Sequence, residues 1–318
     1  MNLSKMNSDC RKIVWVIILQ ICMAGCVRDE PTEEENQTVK VDITDLLPDS
    51  LGSFGNLKMR SVCLTFYSLT DGVVTNQTIT GSSGQANIPN GKYSLLIYSS
   101  DFFELDGLFY RGMNRPNTAE AYAKQYTRAD TLVLIQEPDP LFCFYVDDFN
   151  SNSEKALSRS ASNSSRFSVV LTPLVYLYKF QVQVEGIQYL HSATAIVTGL
   201  YSSVFLKDGH HCEEEVAQEV VLNRKSDVSG LDYIYGEFRS FGSSQRRGVN
   251  HHIYIVLNDD GAKMVDLGDL TVEMNKFPHG GEVQIKKKIV IHGTGGDPGG
   301  GFNPVVTDWD DVVIPLPI

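Results

Sequence analysis

The chain is poor in tryptophan, short of positive charge and without a catalytic signature. Its 318 residues hold two tryptophans, Trp15 and Trp309, and 27 basic against 39 acidic residues, a net charge of −12. That balance argues against nucleic acid or an anionic headgroup surface as partner, since both are held by basic patches. There is no Gly-x-Ser-x-Gly elbow and no His-Glu-x-x-His. The Gly-rich run 293–301 lacks the Lys-Ser/Thr of a phosphate loop and carries Asp297 and Pro298, so it reads as a connector. His210-His211-Cys212-Glu213 and His251-His252 contain metal-ligating types, but adjacent residues on a strand point to opposite faces. With no second ligand pair at a binding spacing, neither a metal nor another cofactor is expected. Asp147-Asp148, Asp259-Asp260 and Asp310-Asp311 are paired acids, yet nothing in the sequence sets two carboxylates facing each other across a bond. The expectation is a protein that is not an enzyme.

Long apolar runs are also scarce. The principal one, Ile13–Leu19, follows Lys5, Arg11 and Lys12 and is too short to cross a bilayer comfortably, so residues 1–25 read as a secretory signal. The sequence Met23-Ala24-Gly25-Cys26 that follows resembles a bacterial lipobox, with Met23 where Leu is usual. The resemblance implies cleavage before Cys26 and acylation of its thiol; an ordinary signal with an incidental cysteine is the alternative. Arg28, Asp29 and Glu30 come next and resemble the surface-export signal of lipoproteins in one group of anaerobic Gram-negative bacteria. That implies an outer-membrane protein, lipid-anchored and facing outward, with a periplasm-facing anchor as the other option. Residues 26–40 then form an acidic, polar tether with nothing to bury. Loss of residues 1–25 removes three basic residues and Asp9, taking the net charge to −14. Of six cysteines, Cys63, Cys143 and Cys212 remain once the signal and Cys26 are set aside. An odd, widely spaced set is no disulfide framework, though one pair among the three stays open.

The mature chain reads as all-β. Strands are expected at 39–43, 61–67, 77–80 and 92–99, the last entered through Asn90-Gly91, and again at 131–135 and 141–146. Asn117-Thr118-Ala119-Glu120 reads as a capping box opening a helix to Tyr126. Residues 147–166 turn Ser-rich, which places a linker between an N-terminal domain at 41–146 and a C-terminal one at 167–318; a long loop inside one domain is the alternative. From Leu174 to Val184 the even positions are apolar or aromatic, while Lys179, Gln181, Gln183 and Glu185 alternate with them. Such a strand has one buried and one wet face, as in an antiparallel sandwich. Further strands are expected at 195–200, 216–222, 253–257, 270–274 and 283–291, with a hairpin turn at 258–261.

Two resemblances follow from these residues. Asp71-Gly72, Gly84 and Ile88-Pro89-Asn90-Gly91-Lys92-Tyr93 resemble a transthyretin-like β-sandwich over roughly residues 58–100. Cys26, the segment Phe167–Leu174 and the closing Trp309–Leu316 resemble the fimbrillin-associated surface lipoproteins, anchoring or accessory subunits of pili in the fimbrial anchor superfamily. That resemblance implies two tandem sandwich domains, a role in adhesion or assembly, and other fimbrial subunits or a host or glycan surface as partners. It also implies assembly by strand exchange, with Arg60 as the candidate protease site in a pilin-like subunit. The C-terminal strand, with Trp309, Val312, Ile314 and Leu316, is then an edge strand that closes its own domain or is donated to a neighbour; closure is the reading taken. A surface glycan-binding lipoprotein of a nutrient-uptake system is the alternative function.

Overall fold

The computed structural model describes residues 36–45, 59–81, 83–102, 107–128, 132–151, 164–258, 262–292 and 303–308. In chain order the strands are β1 Asn36–Asp45, β2 Met59–Ser68, β3 Val74–Thr80, β4 Ser83–Pro89, β5 Lys92–Phe102, β6 Phe109–Arg111 and β7 Glu120–Tyr122. Next come β8 Gln125–Thr127, β9 Val133–Ile135, β10 Phe142–Asn150, β11 Ser164–Val170, β12 Thr172–Pro173, β13 Tyr176–Glu185 and β14 Ser192–Tyr201. The last seven are β15 Ser203–Phe205, β16 Glu215–Ser226, β17 Asp232–Ser240, β18 His252–Asn258, β19 Ala262–Asp269, β20 Gly281–His292 and β21 Asn303–Asp308, with the short helix α1 at Thr271–Met274. Most pairings are antiparallel; β1–β11, β13–β20 and β9–β16 are parallel.

A first sandwich forms because β2 and β5 alternate. A five-stranded sheet in the order β12-β10-β5-β2-β3 faces a three-stranded sheet in the order β11-β1-β4. Val62, Leu64 and Phe66 on β2 and Tyr93, Leu95 and Ile97 on β5 meet Val39, Val41, Ala86, Ile88 and Val169 in one buried cluster. The intervening positions are buried too. Cys63, Tyr67, Leu96, Tyr98 and Cys143 belong to a second cluster that continues through Tyr178, Phe180, Val197 and Ile234. The five-stranded sheet therefore has apolar contacts on both faces, which explains why Leu95-Leu96-Ile97 is a continuous apolar run.

The second cluster lines the inner face of a larger sheet ordered β19-β18-β14-β16-β17-β13-β20-β21, to which β9 adds through β16 and β8 through β9. On β13 the even residues Tyr178, Phe180, Val182 and Val184 are buried, as the alternation predicts. A small sheet, β15-β7-β6, joins strands from both halves of the sequence. The Ser-rich stretch runs between β10 and β11, and both strands line the first sandwich: β11 pairs with β1 in parallel register and Val169 enters its core. The chain thus leaves that sandwich after Pro173, whereas composition alone put the link at 147–166. Residues 37–318 fall in one compact unit.

Two local expectations are corrected. Residues 117–126 are not a helix: a 3-10 turn at Pro116–Thr118 leads into β7 and β8. Ala119, Ala121 and Ala123 are all buried, a period of two, and Glu120 is held by Arg111 on β6 and not by a helix end. Residues 270–274 are not a strand: Leu270 precedes α1, whose Met274 faces the core. The turn 258–261 lies outside the described residues beyond Asn258, though β18 and β19 pair as a hairpin around it.

Candidate interaction surfaces

Among the described residues no group of three or more His, Cys, Asp or Glu is placed to hold a metal ion. The histidines serve packing. The His211 ring stacks on Tyr201 with centroids 4.1 Å apart and its Nε2 lies 2.8 Å from the Phe241 carbonyl oxygen; burial lowers its pKa from the ordinary histidine value. His210 stacks on Phe205 beside Asp208. His251 is fully buried, its two ring nitrogens 3.2 and 2.9 Å from the carbonyl oxygens of Thr198 and Ser244. Gly199, at φ +76°, is what leaves room for that ring: a Cβ there would sit 2.3 Å from Nδ1. Asp147 accepts a hydrogen bond from the Tyr145 hydroxyl at 2.6 Å and lies 3.4 Å from Lys207. Asp259-Asp260, Asp310-Asp311 and the run 293–301 lie outside the described residues.

Register settles the cysteine question. Cys63 on β2 and Cys143 on β10 both pair with Tyr98 on the strand between them. Two strand spacings put their Cα atoms about 10 Å apart, beyond the ~7 Å a disulfide tolerates. Both thiols are buried and free, and Cys212 is free and half-buried beside Ser202. Burial pushes the Cys143 thiol well above its usual range. Iodoacetamide on the native protein should therefore alkylate Cys212 and spare Cys63 and Cys143; modification of either buried thiol, read by peptide mass spectrometry, would contradict the packing.

The sheet ends are the surfaces open to another strand. In the three-stranded sheet β4 is one end, and it is partly blocked: Gln77 on β3 donates from Nε2 to the Asn87 carbonyl and accepts from the Asn87 N–H at 2.9 Å. The other end is β11, with Val170 56% exposed. In the large sheet β21 pairs with β20 from Asn303 to Asp308, and β19, the strand at the other end of the sheet, lies close beside it, so this end is partly covered. An end strand with unpaired backbone groups is a template for a partner strand unless it is blocked.

Of the residues singled out from sequence, Arg60 lies within β2, one residue inside the strand that was expected to start after it. Cys26, Arg28, Asp29 and Glu30 lie outside the described residues, as do Trp309, Val312, Ile314 and Leu316.

A family model described as a domain of unknown function (DUF5119) matches residues 25–221. No curated protein matches by sequence. Among solved structures, a candidate adhesin from Bacteroides ovatus superposes with a TM-score of 0.55 at 18% identity, over 78% of this chain and 86% of that one. A candidate adhesin from Bacteroides thetaiotaomicron gives 0.50 at 11% identity, over 86% and 97% of the two chains. The fimbrial anchor protein Mfa2 from Porphyromonas gingivalis gives 0.44 at 10% identity, over 86% and 98%. The first two likenesses establish a shared all-β fold.

Proposed function

The chain belongs to the DUF5119 family, and from that premise we propose that it is a non-enzymatic surface lipoprotein, an anchoring or accessory subunit of a fimbria that serves adhesion. The observation that carries this reading is the shared fold with a solved candidate adhesin over 78% of the chain. Subunit contact by β-augmentation needs an end strand with room beside it, and β11 is the candidate. Cys26 carries the lipid, Arg28, Asp29 and Glu30 direct the chain outward, and an anchor that keeps its lipid is not cut at Arg60. Trp309, Val312, Ile314 and Leu316 continue the chain past β21 and close its own sandwich. The transthyretin-like character of the two sandwiches belongs to the same reading.

The test is made on cells. Cys26→Ala should release the protein from the membrane fraction, and Asp29→Ala with Glu30→Ala should keep the lipid but protect the chain from protease added to whole cells. Intact mass should show an acylated N-terminus at Cys26. Immunogold label should follow fimbriae. Membrane partition unchanged by Cys26→Ala, or label scattered away from fimbriae, would sink the proposal. Deleting 309–318 should lower the melting temperature, and an unshifted melt would point to strand donation.

A further inference from the structure

We infer that Gln77 is a built-in plug that keeps the β4 edge from pairing with a second copy of this chain. β3 ends the five-stranded sheet and β4 ends the three-stranded one, and contacts between them close that side of the first sandwich. Gln77 on β3 stands opposite Leu64, a core residue of β2, so its side chain leaves β3 toward the facing sheet. There it reaches β4: Nε2 donates to the Asn87 carbonyl, and the Asn87 N–H donates to Oε1 at 2.9 Å. A carboxamide carries a donor and an acceptor side by side, as a peptide unit does. Gln77 therefore takes the place of one residue of a neighbouring strand.

Three further features guard the same edge. Pro89 has no N–H to offer a partner, and its carbonyl already accepts from the Tyr93 hydroxyl at 2.8 Å. The residue under the plug is itself fixed, because Asn87 Oδ1 accepts from Thr38 Oγ1 on β1 at 2.8 Å. Gly84 lets β4 run close to β3: a Cβ there would meet Ile79 Cβ at 2.7 Å.

The occupant kept out is a second copy, because β4 suits itself. Ser83–Pro89 carries no charged residue, so nothing repels an identical strand laid antiparallel across a two-fold axis. Backbone groups alternate sides along a strand, so those of Gln85 face the same way as those of Asn87. About an axis through Ala86, Gln85 of each copy would meet Asn87 of the other, exchanging about four backbone hydrogen bonds in all. Both meetings need Asn87, whose N–H and carbonyl Gln77 holds. Charged side chains are a common guard on sheet edges; here the plug does that work. The inference concerns how the chain avoids its own copies, so it stands whether or not the fimbrial reading does.

The test uses the full mature chain, residues 26–318, made without acylation, with sedimentation equilibrium and hydrogen exchange of peptides covering 83–89. The parent should be a monomer. Gln77→Met keeps the length of the side chain and removes both hydrogen bonds. It should dimerise, with a dissociation constant roughly tenfold or more below any limit set for the parent, the scale of two amide hydrogen bonds. Gln77→Ala should do the same, and in both variants the 83–89 amides should exchange more slowly as concentration rises. Adding Asn87→Pro, which removes the N–H that the dimer needs, should restore the monomer. Oligomeric state is a readout that a merely structural role for Gln77 would not move. A variant that keeps the parental circular dichroism and stays monomeric would overturn the inference. So would a parent already paired through 83–89, a variant dimer whose 83–89 exchange ignores concentration, or loss of the fold in both variants, which would make Gln77 a packing residue.

Discussion

Phe66→Ala is expected to destabilise the protein by about 3–5 kcal/mol, the usual range for emptying a buried aromatic site, and to do so for both halves of the chain at once. Phe66 is fully buried, edge-on to Tyr93 at 5.9 Å and tilted against Phe149 at 5.9 Å. The surrounding β2 and β5 are fixed by pairing on both sides, so the cavity cannot close cheaply. On the reverse face of the same strands, Cys63, Tyr67, Leu96 and Tyr98 pack into the cluster shared with the large sheet. Strands also cross between the halves: β9 pairs with β16, and β7 with β15. Denaturant unfolding followed by far-UV and near-UV circular dichroism should give coincident transitions in parent and variant. A variant curve with two steps, one at the parental midpoint, would mean that the halves fold separately. By the same logic, a protease site placed between 152 and 163 and cut should leave two fragments that elute together, because β11 lies beside β1.

What the sequence could show here was set by how local each signal is. The alternation on β13 names its buried face directly, and residues 92–99 announce β5, because both depend on near neighbours in the chain. The capping-box reading of 117–120 failed for the opposite reason: the same four residues satisfy a local helix rule and a strand rule, and pairing with β6 and with the distant β15 decides between them. Leu270–Met274 is short enough that its apolar spacing fits either period. The role of β11 was hidden because a strand separated from its partner β1 by more than a hundred residues carries no mark of that partner. Cys26 and the acidic tag after it are short strings read whole.

Arg111→Ala should cost about 2–3 kcal/mol near neutral pH, and the cost should shrink on acidification. Arg111 on β6 donates twice to Glu120 on β7, Nε to Oε2 and Nη2 to Oε1, both at 2.7 Å, and Ser203 on β15 donates to the same carboxylate. Glu120 is 6% exposed. Burial by itself would raise its pKa, but the hydrogen bonds from Arg111 and Ser203 outweigh burial and hold it below the usual carboxylate value. A carboxylate whose folded pKa is depressed contributes stability above the unfolded value, about 4.3 for Glu, and that contribution fades as pH falls through the folded pKa. Without Arg111 the buried carboxylate loses its main lowering partner, burial is opposed less, and its folded pKa should move up. Protonation then relieves the variant while it weakens the parent, so their urea midpoints should converge between pH 7 and pH 4. Breaking a fully buried pair costs ~3–5 kcal/mol; the smaller figure here follows from an Arg111 side chain 57% exposed, whose charge is already solvated. A gap that stays constant with pH would mean that Arg111 acts through packing over the Tyr122 ring, 5.0 Å away, and not through the carboxylate. Glu120→Gln separates the two accounts: in that background, which keeps the shape and removes the charge, adding Arg111→Ala should give a gap that does not change with pH.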